Sequence, residues 1–375
     1  MRISSLQENF KHSLSIVARI AGKNVNLPIL NNVMMEAKNG DINLITTDLE
    51  VGIICKARGK IEKEGAFTVE AKIISDYIAL LPNKKIDFTV EKNNLMIECE
   101  NYKTSIKGQE ADDFPLIPSV EKNVFFRLSI QEFKKALSQV VFAVASTENR
   151  IELSGVHFSF NKEKLTLAAT DSFRLAENMI SINTNAEEER SVIIPAKTLQ
   201  EVIRILSAIK QESLNEKESE IIFYLSDNQI LFTVSNIELV SRLIEGQYPD
   251  YKQIIPLGHK TRAQINRSEL LRAVKAASLF SKTGINDINF DFPQGKNKII
   301  ISAASGQSGE NITELDAQVS GDDNGIVVNF RYLLDGINNI DSEEIIIEIT
   351  DNNTPCILRS KKEDNYLYII MPIKQ

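Results

Sequence analysis

The sequence lacks the features that would quickly assign it to a membrane, secreted or metal-binding class. No apolar run reaches the roughly 18 residues that a membrane span needs, and Met1–Glu8 has no apolar core of a signal peptide. The three histidines, His12, His157 and His259, are scattered, and no HExxH motif or Cys/His cluster is present. We therefore expect no membrane partner, no secretory signal and no metal site.

Cysteine is scarce as well. Cys55, Cys99 and Cys356 stand far apart among strand-forming residues and cannot all pair, which predicts a cytoplasmic protein whose cysteines are small core residues. The 375 residues, 43% hydrophobic and 25% charged, are typical of a soluble protein of two or three domains. The net charge of −8, taken as a whole, argues against a nucleic-acid partner.

Signals for catalysis or cofactor binding are weak. Gly306-Gln-Ser-Gly309 lacks the lysine and the spacing of a phosphate-binding loop. Asp171 and Arg174 could act as an acid and an anion holder, but a structural turn at a pocket rim explains them more simply. The sequence predicts no cofactor and a protein that is not an enzyme.

The chain repeats one order of parts three times. Each third begins with a segment whose apolar residues recur three or four apart, as in an amphipathic helix, with Ser5, Ser129 and Asn266 as predicted N-caps. A second, shorter helix follows a strand in each third, and a hairpin comes after it. The six predicted helices are Ser5–Lys23, Ala71–Leu81, Ile130–Ala145, Ala196–Lys210, Arg267–Lys282 and Arg331–Ile340.

The first two repeats end in proline-containing segments. Phe114–Pro118 and Tyr248–Pro256 are unfavourable for helix or central strand and predict extended linkers. The sequence therefore predicts an α+β protein of three domains, 1–123, 124–256 and 257–375, each with two helices against antiparallel sheet.

Charge is divided unevenly between the elements. The six predicted helices hold 14 Lys/Arg and 6 Asp/Glu, so the rest of the chain carries the acidic excess. Lysine and arginine form helices well, but glutamate does so equally and is not enriched. A positively charged face built from helices is thus one interpretation, and simple helix propensity is the other.

The segment Leu165–Ala176 has two readings. Leu165-Thr-Leu-Ala alternates like a strand, and Thr170-Asp171-Ser172 then favours a turn. Phe173-Arg174-Leu175 could form the wall of a shallow apolar cleft with one polar group. Alternatively, Phe173 and Leu175 simply enter the core.

Six segments, in the same order, resemble the bacterial DNA polymerase III β subunit, the sliding clamp, along the full length. They are Leu27-Pro-Ile-Leu-Asn-Asn-Val33, Thr47-Asp-Leu-Glu-Val51, Ala169-Thr-Asp-Ser-Phe-Arg-Leu-Ala176, Tyr248-Pro-Asp-Tyr251 with Ile255-Pro256, Tyr332-Leu-Leu-Asp335 and Met371-Pro-Ile-Lys-Gln375. The resemblance implies repeated DNA-clamp domains in a head-to-tail homodimer that closes into a six-domain ring. Helices would line the hole, which agrees with the basic helices despite the acidic total.

The implied function is that of a processivity factor that encircles double-stranded DNA without sequence specificity. The implied partners are the polymerase III α subunit, the clamp-loader δ subunit, and other DNA polymerases and repair proteins that carry clamp-binding peptides. A three-domain peptide-binding scaffold that never encircles DNA remains the alternative.

The resemblance also implies a peptide-binding cleft between the second and third domains. Its residues are Leu153, Thr170, Ser172, Phe173, Arg174, Leu175, Pro249, Gln253, Ile254, Ile285, Asn329, Tyr332, Asn353, Ile369, Met371, Pro372, Ile373 and Lys374. We expect Leu153, Leu175 and Ile373 to line an apolar pocket with Arg174 at its mouth. Ser172-Phe173 replaces the family's usual Gly-His, Gln253 replaces a frequent Arg, and the tail ends Ile-Lys-Gln where Met-Arg-Leu is common.

Two further surfaces follow from the same resemblance. The implied DNA-binding residues are Lys11, Lys23, Asn24, Lys72, Lys134, Arg150, Lys197 and Arg272, with Asn24 at a position that is often Arg. For each cation singly, an ordinary solvated surface position is the alternative. The implied dimer interface pairs Thr104 and Ile106 with Leu279 and Phe280 of a second copy, where ordinary packing at a helix end is the other explanation for Leu279-Phe280.

Overall fold

The computed structural model describes residues 1–22, 26–146, 149–209 and 219–374. The chain divides into two compact units, each of which we describe by itself. Unit 1 comprises Met1–Ile130, Asn183–Glu187 and Gln200–Leu243, and unit 2 comprises Gln131–Ile182, Glu188–Leu199 and Ile244–Gln375.

Within the described ranges the structure has six α-helices, one at each predicted place. They are α1 (Gln7–Val17), α2 (Ala71–Leu80), α3 (Ile130–Val140), α4 (Ala196–Ala208), α5 (Arg267–Ser278) and α6 (Phe330–Asn339). Most are shorter than predicted. Leu81 is extended because it precedes Pro82, which disfavours the helical conformation, and α3 gives way to a 3-10 turn over Val141–Ala143.

The predicted N-caps have different outcomes. Asn266 is confirmed, since its side chain accepts hydrogen bonds from the N–H groups of Ser268 and Glu269 at the start of α5. Ser5 is wrong as a cap. It lies in the first strand, and its hydroxyl donates to the carbonyl of Arg58 at 2.5 Å. Ser129 stays a prediction.

The strands of the first third are β1 (Arg2–Leu6), β2 (Asn32–Lys38), β3 (Asp41–Thr47), β4 (Val51–Ala57), β5 (Lys60–Lys63), β6 (Gly65–Glu70), β7 (Lys85–Glu91), β8 (Asn94–Cys99) and β9 (Tyr102–Gln109). The middle third contributes β10 (Phe125–Ser129), β11 (Gly155–Phe160), β12 (Lys164–Thr170), β13 (Arg174–Ser181), β14 (Asn183–Thr184), β15 (Arg190–Pro195), β16 (Glu220–Leu225), β17 (Gln229–Val234) and β18 (Ile237–Arg242). The last third contributes β19 (Thr261–Asn266), β20 (Asp287–Phe292), β21 (Lys298–Ser305), β22 (Gly309–Asp316), β23 (Gln318–Gly321), β24 (Asn324–Asn329), β25 (Glu344–Ile349), β26 (Cys356–Ser360) and β27 (Tyr366–Ile370).

Unit 1 contains one antiparallel sheet in the order β14-β10-β16-β17-β18-β4-β3-β2-β6-β9-β8-β7-β1-β5. Its continuity depends on β18, which pairs with β4 from Ile237↔Cys55 to Ser241↔Val51. Strands of the predicted second domain therefore join strands of the predicted first domain in one sheet.

Unit 2 contains two antiparallel sheets, in the orders β15-β11-β12-β13-β27-β26-β25-β19-β23 and β22-β21-β20-β24. The first is continuous because β13 pairs with β27 from Arg174↔Ile370 to Asn178↔Tyr366. A buried cluster beneath this junction includes Leu153, Leu175 and Ile369.

The predicted role of the cysteines is confirmed. Cys55, Cys99 and Cys356 are buried and unpaired with one another. Burial raises the pKa of Cys55 to about 11 and the pKa of Cys356 to about 12, so both are neutral thiols at physiological pH. They behave as small apolar core residues, which free buried cysteine commonly does.

Candidate functional site

The candidate site is built around the turn between β12 and β13. Asp171 accepts hydrogen bonds from the N–H groups of Phe173 (3.0 Å) and Arg174 (3.1 Å). The Thr170 hydroxyl donates to the Arg174 carbonyl (2.6 Å) and accepts from the Ser172 N–H (3.1 Å). Ser172 has φ +78°, a left-handed conformation that glycine adopts more easily. The predicted turn at residues 170–172 is confirmed, and Phe173, which follows it, is exposed.

Phe173 and Leu175 lie in different environments. The predicted exposed wall holds for Phe173, and the predicted entry into the core holds for Leu175. Leu175 is fully buried and packs in the cluster with Leu153. Phe173 is 60% exposed, and its ring lies nearly parallel to that of Tyr332 on α6, with centroids 6.3 Å apart. The turn therefore presents one large aromatic surface to solvent while anchoring the strand that follows.

Arg174 is a buried brace rather than the accessible group predicted at a pocket mouth. Only 11% of its side chain is exposed. Its guanidinium donates to Asp171 (2.9 Å), to Asp335 on α6 (2.5 Å) and to the Phe142 carbonyl (3.0 Å), and it lies 4.8 Å from the Tyr332 ring centroid. Arg174 is buried because its planar guanidinium has five N–H donors and can satisfy several acceptors at once.

The charge balance around Arg174 predicts a large loss of stability in Arg174→Ala. The substitution leaves Asp171, which is mostly buried, without its cation, and we expect a cost of about 2–3 kcal/mol, below that of a fully buried pair because Asp335 is half exposed. This should lower the thermal midpoint by about 3–4 °C in scanning calorimetry. Arg150→Ala, which removes an exposed cation beside the same turn, should shift the midpoint by about 2 °C or less. Equal midpoints for the two variants would contradict the brace.

The linker after β18 is anchored to the same hairpin. The Tyr248 hydroxyl accepts from the Thr170 N–H (3.1 Å), and the Tyr251 hydroxyl donates to Glu177 on β13 (2.6 Å). Burial raises the pKa of both tyrosines well above the usual value, which keeps them neutral. His157 stacks on Tyr248 with centroids 4.9 Å apart, and burial followed by the charge of Lys252 lowers its pKa.

These anchors fix the predicted site residues of the linker beside the hairpin. Pro249 is half-buried, Gln253 is exposed with its amide donating to Asp250 (2.9 Å), and Ile254 is partly exposed. The linker is extended as predicted except for a 3-10 turn over Tyr251–Ile254.

The C-terminal tail continues from β27 past the turn. The Met371 N–H donates to the Phe173 carbonyl (2.9 Å), and the Ile373 N–H donates to the Val327 carbonyl of β24 (2.8 Å). Pro372, between them, has no N–H to satisfy. The tail thus runs from the aromatic turn to the edge of a different sheet.

The predicted pocket of Leu153, Leu175 and Ile373 does not form, because the two leucines close into the core. Ile373 instead lines an open groove of about 940 Å³ together with Asn353 and Lys374. Asn329 accepts from the Arg331 N–H as N-cap of α6, and Ile285 is half exposed in the loop before β20. Around the turn the structure brings together Leu153, Thr170, Ser172, Phe173, Arg174, Leu175, Tyr332, Ile369 and Met371.

Arg150, which the resemblance assigns to DNA binding, lies beside the same turn. Its guanidinium pairs with Glu152 (3.0 Å) and donates to the Ser172 hydroxyl (3.3 Å). No helix carries it, since it precedes a 3-10 turn over Ile151–Ser154. Arg150 therefore lies at the rim of the candidate site, and its assignment to DNA stays a prediction.

The other predicted DNA-binding cations lie on helices. Lys11, Lys72, Lys197 and Arg272 are exposed on α1, α2, α4 and α5, and Lys134 is half-buried on α3. Lys23 and Asn24 lie outside the described residues. With the observed bounds the helical cations are Lys11, Lys72, Lys134, Lys135, Lys197, Arg204, Arg267, Arg272, Lys275 and Arg331, against Glu8, Asp76, Glu132, Glu201, Glu269 and Asp335. The helices remain basic, but less so than predicted, because the predicted helices were longer.

A further candidate surface lies where β9 is unpaired. Among the described strands, β6 pairs only with Gly108 and Gln109 of β9, so Tyr102–Lys107 has a free edge. Thr104 is half-buried, while Ile106 is 7% exposed and its side chain packs within its own unit. For Ile106, therefore, the backbone rather than the side chain is available for pairing at this edge.

Sequence reasoning missed an apolar stripe beside that edge. Ile73 and Leu80 on α2 are 47% and 80% exposed, and Tyr77 lies between them at helical spacing. The signal was present as the spacing i, i+4, i+7, but Ala71, Ile74 and Ile78 show the same periodicity and form the buried face.

Unit 2 has a comparable surface. Leu279, just after α5, is 73% exposed and Phe280 is half-buried. Ile312, on β22, is 65% exposed, and β22 is the outermost strand of its sheet. Each unit therefore has a free strand edge accompanied by exposed apolar side chains.

Across the described residues, no three or more His, Cys, Asp or Glu side chains are grouped as metal ligands would be. Nor does any helix in the described ranges have the length and apolar character needed to span a membrane.

Comparisons with known proteins cover the whole chain. Residues 1–118, 127–250 and 252–374 match, in order, the N-terminal, central and C-terminal domains of the DNA polymerase III beta subunit. A beta sliding clamp of Staphylococcus aureus is 28% identical over 384 aligned residues, spanning 100% of this chain and 99% of the relative.

Solved structures agree. The DNA polymerase III beta subunit of Thermotoga maritima is 27% identical with a TM-score of 0.91, covering 100% of this chain and 99% of that one. A sliding clamp of Bartonella birtlesii, solved with griselimycin, is 28% identical with a TM-score of 0.91 and full coverage of both chains.

The predicted fold of three clamp domains with helices on antiparallel sheet is confirmed by these matches. They leave only residues 119–126, 251 and 375 outside a matched domain. Because the matched family is non-catalytic, Asp171 and Arg174 are not interpreted as catalytic residues. The chain belongs to the DNA polymerase III beta subunit family, the beta sliding clamps, which are non-catalytic processivity factors of the replicative polymerase.

Proposed function

We propose that two copies of this sliding clamp close head to tail into a six-domain ring around duplex DNA and tether polymerases to it. The observation that carries the proposal is that two unlike strand edges, β9 in the first matched domain and β22 in the third, are each accompanied by large exposed apolar side chains. Unlike surfaces associate head to tail, and such contacts close into a ring when the rotation permits.

The proposed interface joins β9 of one protomer to β22 of its partner as a continuous sheet, since free edges pair readily. Apolar contacts accompany the strand pairing, because the exposed side chains next to each edge are large and apolar. The proposed residues are Thr104 and Ile106 with Leu279 and Phe280, extended by Ile73, Tyr77, Leu80 and Ile312.

Helical cations are proposed to face the DNA phosphates, which gives binding without sequence preference. Lys11, Lys72, Lys134 and Arg272 form no ion pair within the described part of the chain, so their charges are available. Lys197 is exposed as well. Lys23 and Asn24 stay predictions.

The triple variant Lys72→Ala, Lys197→Ala and Arg272→Ala tests the DNA-binding face. Each lost phosphate contact reduces the slope of log K against log salt by about 0.9. The triple variant removes three cations from each of the two protomers, so the slope should flatten by up to about 5.4. The measurement is retention of clamp on nicked circular DNA, loaded at several salt concentrations. A matched triple, Lys60→Ala, Lys162→Ala and Lys296→Ala, makes the same charge change off the helices and should behave like the wild type. Loss confined to particular sequences would contradict a sliding ring.

The residues around the β12–β13 turn, the linker and the tail are proposed to bind short peptides of partner proteins. The family resemblance supplies the pattern, a Gln near the start and a Leu/Phe pair near the end. Two or three buried apolar anchors give roughly 1.5–3 kcal/mol each before entropy costs, which suits micromolar binding and exchange of partners. The partners proposed are the polymerase III α subunit, the clamp-loader δ subunit and other polymerases and repair proteins.

Domain boundaries and localisation complete the proposal. The boundaries 1–123, 124–256 and 257–375 stay predictions, and the ends of the family matches, which lie within six residues of them, support them. The three buried free thiols favour a reducing cytoplasm.

Light scattering should give about twice the 42.1 kDa chain mass. A scaffold that never encircles DNA would instead show no preference for circular over linear DNA.

A further inference from the structure

The groove beside the tail lies on the outward face of β20 and β24, where Asn289 and Val327 form part of its floor. The turn at 351–353 and the tail residues Ile373 and Lys374 form its sides, and its volume is about 940 Å³. This is larger than a few side chains require and is open to solvent.

The groove is continuous with the proposed peptide site. The tail residues Ile373 and Lys374 belong to both, and the tail connects them through the bonds of Met371 to Phe173 and of Ile373 to Val327. Met371 and Ile373 are two residues apart, a distance of about 7 Å in extended chain. Two or three residues flanking a bound peptide would therefore reach the groove.

Two carboxylates dominate the charge of the groove. Asp291 lies against the bare backbone of Gly325, where an added Cβ would be 3.0 Å from its Oδ1. Asp323 accepts from the Gln294 N–H (3.1 Å). Neither forms an ion pair with any residue that the structure describes. Lys374 is the only cation among the lining residues that the structure describes, and it is exposed at the rim.

The negative charges of Asp291 and Asp323 repel each other. Burial, followed by the charge of Asp323, raises the pKa of Asp291 above its usual value. Asp351 also lines the groove, but its negative charge is already partly compensated. It accepts hydrogen bonds from the N–H groups of Asn353 and Thr354 within its own turn and is near Lys260. A cationic group between Asp291 and Asp323 would offset their repulsion.

We propose that this groove binds a basic segment flanking the clamp-binding peptide, so that partners with Lys or Arg next to the motif are preferred. The inference rests on the proposed peptide site. The occupant is an extended stretch of partner chain, because the groove continues the peptide site and its charge complements lysine or arginine.

The test compares fluorescence anisotropy of three kinds of labelled peptide on the full-length protein. One has the clamp-binding motif alone, one adds two lysines at either end, and one adds two glutamates at either end. At low salt the lysine flank at the end nearer the groove should tighten Kd about three- to tenfold, and the glutamate flank should weaken it, with both effects fading by 0.5 M salt.

Variants locate the effect. Asp291→Asn with Asp323→Asn should abolish the preference for lysine flanks while leaving affinity for the bare motif within about twofold. Asp364→Asn, an exposed carboxylate of the same unit outside the groove, should leave the preference intact.

The outcomes separate this inference from the function it rests on. If the bare motif binds but flanking charge has no effect, or if the double variant keeps the lysine preference, the groove assignment is wrong and the peptide site stands. If the bare motif does not bind, the proposed peptide site fails, and the inference fails with it.

Discussion

Leu279→Glu together with Phe280→Glu should yield a folded monomer. Leu279 projects from the end of α5 with 73% of its surface exposed, although burial is the usual state of a large apolar side chain. In the proposed dimer both residues face the apolar stripe of α2 in the partner. Two carboxylates buried there without cations would cost several kcal/mol each at each interface, enough to prevent association at micromolar concentration. Sedimentation velocity should then give the 42.1 kDa mass.

A matched control separates interface loss from general damage. Leu116 and Leu257 are also almost fully exposed. Leu116 lies in the first linker and Leu257 directly follows the second, so neither belongs to β9, α2, α5 or β22. Leu116→Glu with Leu257→Glu therefore makes the same chemical change and should remain dimeric. A dimer in the Leu279/Phe280 variant would contradict the assigned interface, and a monomer in the control would show that charge alone disrupts the assembly.

The dimer variant also predicts a separation of functions. A monomer cannot close around DNA, so retention on nicked circular DNA should fall to the level seen with linear DNA. The turn at 171–173, the linker and the tail all belong to one unit of one protomer, so the peptide site does not need the second copy and its affinity should be unchanged. Concurrent loss of both activities would indicate unfolding rather than a broken ring.

Local pattern was enough to predict the elements around the site. The alternation of Leu165–Ala168 and the turn chemistry of residues 170–172 gave β12 and the turn, because side-chain bonds of Thr170 and Asp171 are made within four residues. The same holds for Asn266, which caps its own helix. Such interactions are specified by neighbours in sequence and can be predicted from it.

The role of Arg174 could not be predicted in the same way. Its partner Asp335 is 161 residues away, and its ring contact Tyr332 lies on α6. The pairing of β13 with β27 helps to bring these parts of unit 2 together, and it joins strands that are far apart in sequence. From sequence, a guanidinium after a turn is equally consistent with a pocket mouth and with a buried brace.

The exposed stripe of α2 illustrates a different limit. Ile73, Tyr77 and Leu80 alternate with Ala71, Ile74 and Ile78 around one apolar helix, so periodicity could not tell which side packs on the sheet. The apolar excess itself was the available signal, because a helix apolar on both sides needs a partner on both. In the proposed dimer the second partner is the other protomer.

Removing Met371 through Gln375 should weaken peptide binding by at least about tenfold and leave the dimer intact. The truncation deletes the wall beside Phe173 and the hydrogen bonds of Met371 and Ile373, but β27 ends at Ile370, which stays buried. Loss of one apolar anchor, roughly 1.5–3 kcal/mol, weakens Kd by at least about tenfold. Fluorescence anisotropy with a motif peptide gives the affinity, and sedimentation gives the mass.

A shorter truncation provides the control, because ending the chain at Ile373 keeps both backbone hydrogen bonds and removes only Lys374 and Gln375. Its affinity for the bare motif should stay within about threefold of the wild type, since Lys374 is exposed. Unchanged affinity in the longer truncation would sink the assignment of the tail to the peptide site. Dimer loss in that variant would instead show that the tail stabilises the third domain, because the bond from Ile373 to Val327 secures the edge of β24.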